Sequence, residues 1–231
     1  MTKNISKRAK AISKLTDKKK EYTLSEAVDI LKKTPSTKFD QSVEVDMKLT
    51  LDQANNPIRG TVSLPNGTGK TVKVAVFCKG DFEKEAKEAG ADYVGSDDLM
   101  KKVADGWCDF DIAVSTPDLM RDMAKLGKVL GPKGLMPNPK SGTVTKEIGK
   151  IVKELKAGKI EFRMDKLSGI KASVGKLSFK ADALIANVQM FITAVLNSNP
   201  KVHKAQAVKS IYVSSTMGPG IKLEKGQFKQ G

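Results

Sequence analysis

Histidine is almost absent from these 231 residues: His203 stands alone, and cysteine occurs only as Cys78 and Cys108. A metal site or histidine-based acid–base chemistry needs more such groups at close spacing than this inventory offers. Two distant thiols cannot staple a chain of this size, which fits a reducing cytoplasmic setting. No apolar run approaches the length needed to span a bilayer, so no membrane association is expected. The N-terminal MTKNISKRAKAISKLTDKKK is basic but has no apolar centre and no small-residue cleavage site, unlike a secretory signal. Hydrophobic residues make up 39% of the chain, too many for a disordered protein. The length allows one large or two modest domains, each able to bury a core.

Charge is abundant and unevenly placed. The net charge is +15. Residues 71–159 hold 16 Lys/Arg against 14 Asp/Glu, whereas residues 1–70 hold 14 against 8 and residues 160–231 hold 11 against 4. Nearly all of the excess therefore lies in the outer thirds, which points to a polyanion partner touching those parts.

The stretch over residues 37–51, TKFDQSVEVDMKLTL, organises the chain. Its odd positions read Phe39, Gln41, Val43, Val45, Met47, Leu49 and Leu51; its even positions read Lys38, Asp40, Ser42, Glu44, Asp46, Lys48 and Thr50. This period-two alternation predicts a strand with one buried and one wet face. Before it, residues 23–33 read as a helix opened by a Thr23/Glu26 capping box and stopped at Thr34-Pro35. Residues 1–20 read as a short helix or a flexible basic arm. After it, residues 59–64 read as a short strand forming an antiparallel pair with the first. A Gly-rich connector follows at 67–70.

From residue 71 the pattern changes. Near-continuous apolar strands at 71–78, 91–95 and 110–115 alternate with helices at 81–90, 96–106, from 116 onward, and 147–156. Ser96 and Thr116 are expected as N-caps, with Pro117 at a first helical position. Such βαβα alternation predicts a parallel three-layer domain. The alternating style then returns at 160–164 and 170–174. A long helix follows, with the stripe Leu184, Ile185, Val188, Phe191, Ile192, Val195 and Leu196. A last strand is expected at 210–214. The economical architecture is a discontinuous α+β outer domain, residues 1–66 and 160–231. It is interrupted by an inserted α/β (Rossmann-like) domain, residues 67–159, on two adjacent Gly-rich hinges.

Two enzymatic readings are weak. Gly67-Thr68-Gly69-Lys70-Thr71 resembles part of a phosphate loop, but the Gly required five residues before Gly69 is Leu64, and a strand follows rather than a helix. The inserted domain could be a nucleotide-dependent enzyme core, yet Lys79-Gly80-Asp81-Phe82 replaces a dinucleotide fingerprint. Met217, by contrast, sits in a Gly/Pro turn beside Ser214, Ser215 and Thr216. Small donors and acceptors of this kind can follow a ribose–phosphate backbone and meet 2′-hydroxyls.

LGKVLGPKGLMPNPKSGTV at 126–144, TKFDQSVEVDMKL, RGTVSLPNGTGK and STMGP occur in order along the chain. Together they resemble the signature of the large-subunit ribosomal protein L-one family, in a form that looks bacterial. The resemblance spans essentially the whole chain. It implies a non-enzymatic structural protein that needs no cofactor and is monomeric when free. It also implies binding to large-subunit ribosomal RNA at the mobile stalk, help in releasing exit-site tRNA, and repression of its own messenger RNA by the free protein. The RNA-contacting residues carry over to Lys38, Phe39, Glu44, Thr216, Met217 and Gly218. Ser42, Arg163, Asp165, Lys166 and Ser214 are expected to flank them. Within that reading Lys38 and Arg163 meet phosphates, Phe39 and Met217 pack on sugars or bases, and Glu44 accepts from a ribose or base donor.

Overall fold

The alternation around Val43, Val45, Met47 and Leu49 becomes strand β1, Ser42–Leu49, and those four side chains are buried. The computed structural model describes residues 7–17, 20–35, 37–51, 57–199 and 207–228. The chain separates into two compact units, residues 1–69 with 160–231, and residues 70–159. Residues 1–6, 18–19, 36, 52–56, 200–206 (including His203) and 229–231 lie outside the described residues.

In the first unit, β1 is central. It pairs antiparallel with β7, Gly169–Lys176, on one side and with β8, Val208–Ser215, on the other. The short β9, Ile221–Lys222, adds to β8, giving the order β7-β1-β8-β9. The apolar face packs on α2, Leu24–Lys33, and α8, Ala181–Asn197. Leu24, Ala27, Val28 and Leu31 meet Leu184, Val188, Phe191, Ile192 and Val195 in this core. The capping box forms as expected: Glu26 N–H donates to Thr23 Oγ1 at 3.3 Å, and Thr23 N–H to Glu26 Oε2 at 3.0 Å. The basic arm contributes helix α1, Lys7–Leu15.

Strand β2, Arg59–Ser63, does not pair with β1. It pairs with β6, Lys159–Arg163, in a separate two-stranded sheet. The expected local hairpin is therefore incorrect, because both edges of β1 are taken by eight-residue strands from the far end of the chain. The buried Asn187 ties the end of this segment to α8. Its amide accepts from Asn66 N–H at 3.1 Å and donates to Gly67 O at 2.9 Å and to Val174 O at 2.7 Å.

In the second unit, β3, Val74–Phe77, lies between β4, Tyr93–Gly95, and β5, Ile112–Ser115, all parallel. Ala75 and Phe77 pack with Leu99, Met100 and Val103 of α4, Asp97–Ala104. Val74 and Val76 pack with Ala86 of α3, Asp81–Glu88, and with Ile148, Val152 and Leu155 of α7, Ile148–Ala157. Each strand of this sheet thus sends alternate side chains into two apolar clusters. The helix expected from residue 116 is a run of short α and 3-10 turns, including α5, Met120–Met123, and α6, Gly127–Leu130. Pro117 occupies its start, but neither Thr116 nor Ser96 makes a side-chain capping bond.

Carboxylates tie the strand beginnings of this sheet. Asp111 pairs with Lys70 and accepts Lys73 N–H at 3.1 Å. Asp109 holds the Lys73 ammonium at 2.9 Å. The Lys70 ammonium, followed by the Lys73 amide, holds the Asp111 carboxyl below its ordinary range. The Lys73 ammonium does the same for Asp109. A carboxylate with a depressed folded pKa contributes stability above its unfolded pKa and loses that contribution as pH falls through the folded value. Trp107, the sole tryptophan, stacks edge-on against Tyr93 at 4.7 Å and reports on this unit.

Trp107 fluorescence should therefore show unfolding that becomes easier from about pH 5 downward. Asp111→Ala should lower stability at pH 7 by about 1 kcal/mol and shrink the further loss on acidification. An unchanged acid limb in that variant would contradict the assignment. Separately, Asn187→Ala leaves three backbone groups without partners. It should destabilise the protein by about 2–3 kcal/mol in denaturant titrations followed by circular dichroism. A loss under about 0.5 kcal/mol would show that these groups find other partners.

Candidate nucleic-acid interface

At the Ser42 end of β1, three segments distant in sequence are bonded together. Gln41, on the core-facing side of the alternation, is buried to 2% exposure. Its carbonyl accepts Leu177 N–H at 2.8 Å, and its side-chain oxygen accepts Met217 N–H at 2.9 Å. Thr216 N–H donates to Ser42 O at 3.0 Å, while Ser42 N–H donates to Thr216 Oγ1 at 3.0 Å. Lys176 Nζ donates to Ser42 Oγ at 3.1 Å. Asp40 accepts from both the backbone and the hydroxyl of Ser178.

Two large apolar side chains stand out from this network. Phe39 is 53% exposed and Met217 56% exposed. Alternation alone would bury Phe39, but the strand starts only at Ser42, so Phe39 lies in the approach to it. Met217 is held at its N–H by Gln41 and at its carbonyl by Arg8 Nη2 at 3.2 Å. Its side chain is thus displayed from a backbone bonded on both sides. Gly218 N–H donates to Ser215 O at 2.9 Å, and any Cβ on Gly218 would overlap the Ser215 hydroxyl. A side chain at 218 would force the Ser215 hydroxyl to turn away. The Ser215 hydroxyl is buried and has no hydrogen-bond partner among the described residues.

Glu44 follows on the wet face, exposed between Ser173 of β7 and Ser214 of β8. The register on β7 jumps at this point, with Val43 opposite Gly175 and Glu44 opposite Ser173, so Val174 forms a bulge. Lys38 is exposed just upstream. Lys38, Phe39, Ser42, Glu44, Ser214, Thr216, Met217 and Gly218 therefore gather at one end of the sheet.

Arg163, Asp165 and Lys166 do not join them. They lie at the end of β6 and in the turn leading to β7, where Lys48 pairs with Gly169 and Leu49 N–H donates to Ser168 O. That is the opposite end of β1, about 20 Å from Ser42 at 3.3 Å per residue. Asp165 is occupied in shaping this turn, accepting Leu167 N–H at 2.8 Å and Gly169 N–H at 2.7 Å. The Gly169 amide, outweighing desolvation, and then the Leu167 amide keep its carboxyl below the ordinary range. Ser42 and Thr216 likewise spend hydrogen bonds on each other. Both act in holding the turn, with one lone pair left on the Thr216 oxygen.

Sequence reasoning missed Gln41, Lys176, Arg8 and the Asp40–Ser178 pair. Gln41 was detectable, being the single polar residue on the apolar parity of the strand. The others depend on register.

In the second unit, the loop after α6 is organised by Asn138. Its side chain accepts Lys140 N–H at 2.8 Å, and its own N–H donates to Thr143 Oγ1 at 2.8 Å. Val144 then bridges to Ser115 beside the end of β5. Gly131, Pro132, Lys133 and Gly134 form the exposed tip. Among the described residues, no cluster of three or more His, Cys, Asp or Glu is placed to hold a metal, and no helix is long and apolar enough to cross a membrane.

Comparison with known proteins places these features in a lineage. The family model described as Ribosomal protein L1p/L10e family matches residues 31–219. A protein of Protochlamydia amoebophila named large ribosomal subunit protein uL1 is 55% identical over 221 residues, covering 95% of this chain and 94% of the relative. The protein of the same name from Chlamydia caviae is 52% identical over 226 residues, covering 97% of both. That from Fervidobacterium nodosum is 50% identical over 229 residues, covering 98% of this chain and 97% of the relative. The match runs from α2 through β1 to the Thr216–Gly218 turn, and on it the chain belongs to the Ribosomal protein L1p/L10e family.

Proposed function

We propose that this chain is a structural constituent of the large ribosomal subunit that binds ribosomal RNA through its first unit. The observation carrying this reading is the pair of exposed apolar side chains, Phe39 and Met217, set around Gln41 beside a row of hydroxyls and Glu44. Exposed aromatic and thioether groups give faces for bases and sugars. Ser214 and Glu44 offer acceptors for 2′-hydroxyls, and Lys38 and Lys176 bring positive charge. Glu44 repels phosphate, so its presence suits a fitted site more than a general cationic surface.

The resemblance supports finer roles. In these the RNA is the mobile stalk, exit-site tRNA is released past it, and the free protein binds its own messenger RNA on the same surface. The work is done in the cytoplasm, on the ribosome. The second unit, with Lys133 and Lys140 on its loop, adds a weaker RNA or tRNA contact. The Lys166 turn adds a second cationic point at the far end of β1. An enzymatic role finds no support in the family membership.

Thr216→Val removes the hydroxyl that accepts Ser42 N–H and donates to Ser42 O, keeps the backbone bond from Thr216 N–H to Ser42 O, and should weaken binding to a ribosomal RNA stalk transcript about 10- to 100-fold. Removing any one of Lys7, Lys10 or Lys14 should mainly lower the salt dependence. Equal small losses in both sets, measured by filter binding, would indicate diffuse electrostatic attraction instead. A chain of residues 1–69 joined by a short linker to 160–231 should fold and keep its affinity within about tenfold of the whole protein, a difference of about 1.4 kcal/mol. A loss beyond a hundredfold would require the second unit in the site.

A further inference from the structure

The wet face of the four-stranded sheet carries one feature that the end-of-strand site does not use. Tyr212 on β8 is 39% exposed, and with Phe39 it is one of two aromatic side chains among the exposed large apolar residues described. It stands one step along the same face from the Glu44 row. Glu44 lies opposite Ser214, and Asp46 opposite Tyr212. Successive same-face rows are about 7 Å apart. Across the sheet the Tyr212 row reads Lys171, Asp46, Tyr212, Lys222, from β7 to β9.

Small neighbours leave part of the ring open to solvent. Ser210 precedes and Ser214 follows it on the β8 face, and Gly220, with no side chain, lies beside it. Three cations ring the position: Lys171, 3.7 Å from Asp46; Lys222, 2.7 Å from Glu21; and Lys48, whose ammonium reaches the Leu167 carbonyl. A protein partner would want a wider apolar patch here. A lone ring among serines and lysines, continuous with the Glu44 row, matches a stacked base with phosphates on either side.

We propose that Tyr212 is a second stacking platform, on which RNA held at the Phe39–Met217 end lays a base or ribose as it continues along the sheet face. This rests on the RNA-binding reading above. It extends the contact surface from the strand end to the middle of the sheet, and it links the Glu44 row to the Lys48 and Lys166 end.

The test uses the full chain and a transcript of the large-subunit ribosomal RNA stalk, with thermal unfolding as a check of each variant. Tyr212→Thr keeps a strand-forming residue but removes the ring, and should weaken binding about 5- to 100-fold. Tyr212→Phe should stay within about threefold, since the ring is kept. Photo-crosslinking of the unaltered protein to 5-iodouridine-substituted transcript should label Tyr212. If Tyr212→Thr binds like the unaltered protein while Thr216→Val is weak, the platform is wrong and the strand-end site stands. If both variants bind normally, the platform and the strand-end site are both wrong; if the unaltered protein does not bind the transcript, the RNA-binding reading itself fails. Should Tyr212→Thr not fold, the crosslink decides, and its absence from Tyr212 overturns the proposal.

Discussion

The first unit depends on one constraint: both partners of β1 come after the second unit in the chain, beyond residue 160. Val45 pairs with Val213 and Ala172, and Met47 with Ile211 and Ile170. None of these bonds can form until the chain has returned after residue 160. Closing so long a loop carries an entropic cost that grows only slowly with loop length, and a folded insert shortens the effective loop. The second unit can condense first, because its parallel strands and helices follow one another locally. The candidate interface inherits the same constraint. Phe39 and Glu44 come from before the insertion, and Ser214, Thr216 and Met217 from after it. The Gln41 and Ser42 bonds are what bring them into register.

This explains what was legible in the sequence. Period-two alternation identifies which residues of β1, β7 and β8 are buried, and that expectation holds from Val43 to Leu49. It says nothing about which residues lie opposite one another, because a shift of two positions preserves every face. Arg163, Asp165 and Lys166 are carried over from the family resemblance, and only the register shows that they lie at the opposite end of the strand from the other members. The expected hairpin between β1 and β2 rests on adjacency in the chain, which does not say which strands pair. Phe39 illustrates a further limit. Its parity is apolar, but the strand ends before reaching it, and parity has no meaning outside the strand.

Helix signals fared unevenly for a physical reason. The Thr23/Glu26 box is local and forms, whereas Ser96 and Thr116 sit at N-cap positions without capping bonds. Thr116 follows the buried end of β5, where backbone geometry is set by the sheet. Thr116 is itself 3% exposed, with its N–H given to Phe77 O. Charge asymmetry pointed to the outer segments, but charge alone does not distinguish a fitted surface from a cationic one. The distinction comes from Glu44, from the exposed Phe39 and Met217, and from the Thr216–Gly218 turn bonded to Gln41 and Ser42.

The central claim is that a fitted surface at the Ser42 end of β1 reads RNA through its sugars and bases. The most direct measurement compares the affinity of the full chain for one ribosomal RNA stalk sequence in its ribose and 2′-deoxy forms, across a range of salt. A fitted site loses at least about tenfold on deoxy substitution, with a modest salt slope in both forms. Equal affinity for the two forms, falling steeply and in parallel with salt, would contradict it.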